Sequence, residues 1–314
     1  MKFLRYQLSH RTVYDYTGTV SVSHHLLRLC PRTLPHQYCL RHELKVDPEP
    51  AVVDSCMDYF GNIRHFVTME GGHERLSVIS ESEVAVTASY VPAPDETPAW
   101  TVARGMLMAD QTARGLEAKE FTYASPRVVP DADAAAYAAE SFSEGRPLLD
   151  AAMDLTARIN RDFSFDPTAT NVTTSVADVF RERKGVCQDF SHLQIACFRA
   201  MGLPARYVSG YLETDPPPGQ AKMVGADASH AWVSLFCPGH GWIDLDPTNN
   251  CIPSMRHITV GWGRDYGDVS PLRGVVLGEG GHVLTVAVDV TPLGPTNLRP
   301  EPSADRWGKL ANAV

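Results

Sequence analysis

GVCQDFSHLQIACFRAMGLP, residues 185–204, is the stretch on which the fold turns. Phe190, Leu193, Ile195, Ala196, Cys197, Phe198 and Met201 spread over nearly the whole circumference of a helix, the pattern of a helix packed on most of its sides. Gly202 supplies a C-terminal stop and Pro204 enforces it. Cys187 falls where this helix begins, just after Gly185. A thiol at a helix N-terminus feels the partial positive charge of unpaired N–H groups, which favours thiolate. The same N–H groups are placed to stabilise an oxyanion. The usual fate of a free cysteine is as a small buried hydrophobe, and that description suits Cys197, in mid-helix, far better than Cys187. Asp189 should point about 200° around the helix from Cys187 and His192 about 140°, both away from the thiol.

Downstream, three strand-like runs follow: residues 205–212, 230–236 and 242–246. In ASHAW, residues 228–232, His230 shares a face with Trp232 and Ser234, while Ala231, Val233 and Leu235 face the core. In GWIDLDPTNN, residues 241–250, Asp244 and Asp246 project together, and either carboxylate is placed to orient a histidine. Asp246 precedes Pro247, so it also reads as an ordinary turn former. The loop at residues 215–227, rich in Pro and Gly, reads equally as a lid or as a plain surface connection. Residues 283–290 alternate Val286, Val288 and Val290 with polar or small residues and return to close a sheet.

Upstream, Leu4, Tyr6, Leu8, Tyr14 and Tyr16 alternate with Arg5, Gln7, Ser9 and Asp15, and Leu40, Leu44 and Val46 repeat the period of two. So many short strands, each with one apolar face, predict an antiparallel β-sandwich over residues 1–92. Residues 93–146 read as a linker and helical connection, residues 147–294 as an α+β core with C-terminal strands, and residues 295–314 as a polar tail. Within the core, Leu148, Ala152, Leu155 and Ile159 lie on one helix face, with Pro147 in the first turn.

The blocks GVCQDFSHLQIACFRAMGLPARYVSGYL, DASHAWVSLF and GWIDLDPTN, in the order Cys, His, Asp, resemble the bacterial transglutaminase-like core, a papain-like fold with a central helix on an antiparallel sheet. The start of the chain, MKFLRYQLSHRTVYDYTGTVSVSHHLLRLCPRT, resembles the β-rich N-terminal domain that accompanies that core, and GWGRDYGDVSPLRGVVLG resembles its downstream segment. The resemblance implies Cys187 as nucleophile, His230 as general base and acid, and Asp246 as its orienter, acting through a thioester on an amide or peptide bond. Asp244 matches no motif position and reads as a solvated neighbour. Papain-like relatives draw an oxyanion donor from a glutamine shortly before the cysteine; Arg181, Glu182, Arg183 and Lys184 stand there instead. Gln188, Tyr211 and Trp232 are the substrate-binding or oxyanion candidates, beside the backbone N–H groups of Cys187 and Gln188. Water as acceptor gives a peptidase or amidase, the favoured outcome; an amine gives a transglutaminase. A condensing enzyme on a small amidated substrate, or a catalytically silent protein-binding scaffold, are the other readings.

The formal charge of −9 over 314 residues argues against nucleic acid. No apolar run reaches the length of a membrane span, no secretory h-region is visible, and seven scattered cysteines fit reduced thiols in the cytoplasm. No cofactor or metal is expected: His24, His25, Cys30, His36, Cys39 and His42 match no zinc spacing, and His240 and His257 read as surface residues. No GxSxG elbow is present.

Overall fold

Long alternating runs make long strands. The structure is a computed structural model and describes residues 2–215, 225 and 227–296. In it β1 (Phe3–Leu27) pairs along its length with the equally long β4 (Ile63–Val86), and the register shifts between Asp15 and Val20. β4 carries β2 (Gln37–Asp47) beside its second half and β3 (Val52–Met57) beside its first. One side chain cluster joins Leu27, Val67 and Met69 from one half of this sheet with Leu76, Val78 and Leu44 from the other. β1 and β4 therefore run continuously through both halves of one six-stranded antiparallel sheet, and the two halves share this cluster.

Residues 93–146 are more than a connection. α1 (Trp100–Ala109), α2 (Ala113–Glu120) and α3 (Ala132–Ser141) pack into the core that follows, where Trp100, Ala103, Tyr137 and Phe142 join its main cluster. α4 (Leu148–Asp162) buries the predicted face of Leu148, Ala152, Leu155 and Ile159. β5 (Ser164–Phe165), α5 (Val176–Glu182) and the two-residue β6 (Lys184–Gly185) lead into α6 (Cys187–Ala200). All ten residues from Asp189 to Phe198 are buried, so polar ones need partners: Ser191 Oγ donates to Cys187 O at 2.8 Å and Gln194 Nε2 to Thr156 Oγ1 at 2.7 Å.

α6 packs on an antiparallel sheet of order β10-β7-β8-β9, formed by β7 (Ala205–Leu212), β8 (Ala228–Cys237), β9 (Gly241–Leu245) and β10 (His257–Gly263). After the short α7 (Tyr266–Val269), β11 (Leu272–Gly278) and β12 (His282–Thr296) join the first sheet and not this one. Both pair with β1, for example Val22↔Leu277 and Leu8↔Val290. Burial explains the choice, because Val288 and Val290 complete a cluster with Tyr6, Leu8, Val84 and Val86 that packs on Tyr211, Ile258 and Val260 of the core sheet. Most of the loop at residues 215–227 and of the tail lies outside the described residues.

β10 is an edge strand, and its outward backbone groups are covered by two side-chain amides of the first sheet. Buried Gln37 donates Nε2–H to Thr259 O at 2.7 Å and accepts from Thr259 N at 2.8 Å. Asn62 does the same for Trp262, at 2.8 and 3.0 Å. Each amide completes the ladder as a neighbouring strand would.

Candidate active site

The start of α6 is fixed by its third residue. Asp189 Oδ2 accepts from Val186 N at 2.8 Å and from Thr170 Oγ1 at 2.7 Å, a capping arrangement that turns the carboxylate back over the helix end. A Cβ on residue 185 would sit 2.9 Å from Asp189, so only glycine permits this closure. Burial raises the Asp189 carboxyl, and the bonds from Thr170 and Val186 oppose that rise. Cys187 thus stands in the first turn, half-buried, and helix geometry leaves the N–H groups of Cys187 and Gln188 without intrahelical acceptors. Among the other thiols, Cys197 is fully enclosed and burial pushes Cys237 and Cys251 up to about 11, while Cys39 and Cys56 are half-buried as Cys187 is.

His230 pairs with Gly210 across β7 and β8. Trp232 lies on the same side, 6.0 Å from His230 between ring centroids, and its ring occupies the space a side chain at 210 would need: a Cβ there would meet Trp232 at 2.5 Å and Ile258 O at 2.2 Å. His230 Nε2–H donates to Asp246 Oδ2 at 2.7 Å, which leaves Nδ1 as the other ring nitrogen, and the Cys187 thiol is near enough to favour charge on the ring. Burial works against a charged ring, but the bond to Asp246 and the neighbouring Cys187 outweigh it and push His230 up to about 10.

Asp246 has no exposed surface, and five donors converge on it. Oδ1 accepts from Thr248 N at 2.9 Å and Asn249 N at 3.1 Å, the Asx turn that Asp-Pro-Thr-Asn encodes. Oδ2 accepts from His230, from Asn249 Nδ2 at 2.7 Å and from His257 Nε2 at 3.1 Å. Burial alone would raise this carboxyl; the bonds from His230, His257 and Asn249 instead hold it well below the usual carboxylate range.

The structure therefore bonds His230 to Asp246 and leaves the Cys187 thiol in their neighbourhood. Two other sequence candidates stand elsewhere. Tyr211 is buried against the first sheet with its hydroxyl bonded to His10 at 2.9 Å, and Trp232 is fully enclosed with its Nε1–H on Asp244 Oδ2 at 3.0 Å. Neither can touch a substrate; Trp232 backs the histidine instead. Asp244, half-buried, accepts the indole N–H. Gln188 stays half-buried at the helix start. Arg181 pairs with Asp178 and Glu182, and Arg183 lies over Phe163, 4.7 Å from its ring centroid. The largest departure is His257, read as a surface residue but buried against Asp246. Its signal is only that β10, HITVGWG, is apolar on both faces, so a polar residue at its head must be partnered.

Each of His230, Asp246 and His257 has a ligand-type atom within 4.8 Å of the others. Ser254 N–H, however, donates to His257 Nδ1 at 3.3 Å, so the proton of this ring sits on Nε2 and points at Asp246. A protonated nitrogen is not a metal ligand. The His/Cys residues near the N-terminus also serve separate partners: His24 bonds Thr68, His25 bonds Ser23 and His42 bonds Ser82.

Residues 6–85 match the bacterial transglutaminase-like N-terminal region, and residues 135–247, which contain Cys187, His230 and Asp246, match the transglutaminase-like superfamily. An uncharacterised protein of Mycobacterium tuberculosis is 42% identical over 298 residues, spanning 92% of this chain and 93% of the relative. The chain belongs to the bacterial transglutaminase-like family. Within this transglutaminase-like group, a protein-glutamine gamma-glutamyltransferase of Pseudomonas aeruginosa is 33% identical over 92 residues, 29% of this chain and 14% of that protein. The crystal structure of a candidate cysteine protease from Cytophaga hutchinsonii superposes with a TM-score of 0.75 at 21% identity, covering 96% of this chain and 94% of its own, which shows the transglutaminase-like fold over both sheets.

Proposed function

We propose that this transglutaminase-like protein is a cysteine-nucleophile acyl-transfer enzyme acting on an amide or peptide bond, with water as its main acceptor. The observation that carries the reading is a half-buried thiol at a helix N-terminus, near an imidazole that is itself bonded at 2.7 Å to an enclosed carboxylate. In this reading the Cys187 thiolate attacks the carbonyl carbon, and the oxyanion is held by N–H groups at the start of α6. His230, as imidazolium, gives its Nδ1 proton to the departing amine, leaving a thioester on Cys187. His230 then takes a proton from water, which attacks the thioester and releases the acid and free thiol. Asp246 keeps the ring oriented and its charge compensated. An amine in place of water would make the same site a transglutaminase, the activity named for the Pseudomonas relative. Hydrolysis is favoured because excluding water demands a dedicated lid or tunnel.

The test is intact-mass analysis of the purified protein incubated with a mixed peptide and amide library, with and without a primary amine. An acyl adduct present in the wild type and missing in Cys187→Ala is expected, released mainly as free acid. Release mainly as amine conjugate would reverse the choice of acceptor. No adduct, with Cys187 no more reactive to alkylation than the other exposed thiols, would overturn the enzyme reading in favour of a binding scaffold.

A further inference from the structure

Three groups share Asp246 Oδ2, and two of them have an evident reason to be there. His230 faces the thiol, and Asn249 belongs to the turn that follows the strand. His257 is different: it comes from β10, on the opposite edge of the core sheet from β9, which leads into Asp246. Its Nε2 lies 3.1 Å from Oδ2, and its side chain is 6% exposed. Ser254 N–H occupies its Nδ1 at 3.3 Å, so the ring has one available proton and a single direction in which to give it. Trp232 meets it edge-on, with ring centroids 5.3 Å apart, which fixes the ring plane. Such a ring is a fixed donor rather than a base.

The head of β10 is held from two sides: β7 pairs with it, His257 opposite Leu212, and the first sheet takes its outer edge. Gln37, with no exposed surface, makes a paired hydrogen bond with the backbone of Thr259, two residues from His257. The same amide nitrogen donates to Arg32 O at 2.7 Å, and Arg32 N donates to Thr259 O at 3.1 Å, so three bonds lock this point. We infer that His257 is a positioning residue for Asp246, and that the N-terminal sheet contributes to the active site by holding His257 there through Gln37. This rests on the Cys187–His230–Asp246 reading given above. It assigns the N-terminal domain a part in the chemistry without contact with substrate.

The titratable groups facing Asp246 are His230 from β8, His257 from β10 and the Cys251 thiol from the turn beyond Asn249; those nearest His257 are Asp246 and His230. His257 contributes one hydrogen bond to a charged acceptor, so removing it frees Oδ2 to rotate and loosens the His230 imidazolium that Oδ2 holds. The effect should appear at acid pH, where ionisation of Cys187 depends on that imidazolium being held in place. It should vanish where the thiol ionises unaided.

The test is the pH dependence of Cys187 alkylation in the full-length chain, followed by mass spectrometry from pH 4 to 9. For His257→Phe we expect about tenfold slower reaction at pH 5, an acid limb about one pH unit higher, and a rate within about twofold of wild type at pH 9. His257→Gln, which keeps an N–H at a similar reach, should recover most of the loss. Gln37→Ala should shift the limb the same way, and Gln37→Ala with His257→Phe should be no worse than His257→Phe alone. An unchanged limb in His257→Phe, a Gln variant as impaired as Phe, or multiplying losses in the double variant would each overturn the inference. If a variant does not fold, 15N shifts of the wild-type imidazoles decide: protonated Nε2 with bare Nδ1 at His257 supports it, and the reverse tautomer overturns it. Should wild-type Cys187 be no more reactive than other exposed thiols, with His230→Ala without effect, the triad reading itself fails, which is a distinguishable result.

Discussion

Asp246→Asn exchanges one carboxylate oxygen for an amide nitrogen at nearly constant volume. Oδ1 can keep its two backbone donors, Thr248 N and Asn249 N, so the turn survives. The nitrogen at the Oδ2 position then confronts three groups that donate, His230, His257 and Asn249. His230 is the one free to adapt, by moving its proton to Nδ1 and accepting at Nε2. In that tautomer it presents a hydrogen to the Cys187 sulfur and cannot take one from it. Burial, which already opposes charge on His230, is then countered by Cys187 alone. A hydrogen bond between charged partners contributes about 1.5–3 kcal/mol, or about a 10- to 150-fold change in the thiolate–imidazolium population. The assay is the second-order rate of iodoacetamide addition to Cys187 against pH, with circular dichroism confirming the fold. Between pH 6 and 7 the variant should be slower by that factor, and the two curves should converge above the ordinary thiol range, about pH 8.5. Equal rates at pH 6.5 in a folded variant would refute the coupling of Asp246 to the thiol through His230.

Three further outcomes are expected. His230 is raised from 6.5 to about 10 on folding, so its contribution to stability is complete below pH 6.5 and lost as pH climbs through 10; Asp246 is lowered, so its share is present above its ordinary 3.8 and lost on acidification. In urea melts the gap between wild type and Asp246→Asn should accordingly be widest near pH 5–6 and shrink toward pH 10. Gly210→Ala forces a methyl against Ile258 O and the Trp232 ring, and should cost about 1–3 kcal/mol in the same melts. Asp189→Ala removes the acceptor for Val186 N and Thr170 Oγ1, and should lower stability by about 0.5–2 kcal/mol, together with slower Cys187 alkylation as the first turn frays.

What the sequence made legible is what local chemistry encodes. The apolar circumference of residues 190–201 required a central helix, Gly202 and Pro204 closed it, and a cysteine at its opening stood out from one in its middle. Period-two alternation located β1, β2 and β12 as strands. Their partners were another matter. Whether Val286 to Val290 should lie beside β7 or beside β1 depends on which neighbour buries them, and the register Leu8↔Val290 joins residues that no local pattern relates. The alanine-rich residues 131–143 read as helical and hold α3, but α1 and α2 were obscured by the Val-Pro-Ala-Pro opening of their segment, although Trp100 is a core residue. His257 stayed hidden because its partner is a carboxylate on a different strand. Tyr211 and Trp232, named as candidates from the motif blocks, are both spent on packing.

The placement of β1 also bears on how the chain is made. Its two neighbours in the sheet are β4, which ends at Val86, and the β11–β12 segment, which ends at Thr296. During synthesis the first strand therefore acquires one partner early and waits for about two hundred further residues to acquire the other. Throughout that interval a nascent chain carries a 25-residue strand with an open edge, the feature that most invites pairing with a neighbouring polypeptide. Closing it last, through contacts of very large sequence separation, makes folding slow and ties completion of the first domain to emergence of the final strand from the ribosome. A fragment cut after residue 92 would keep that edge permanently, and should precipitate where the full chain stays in solution.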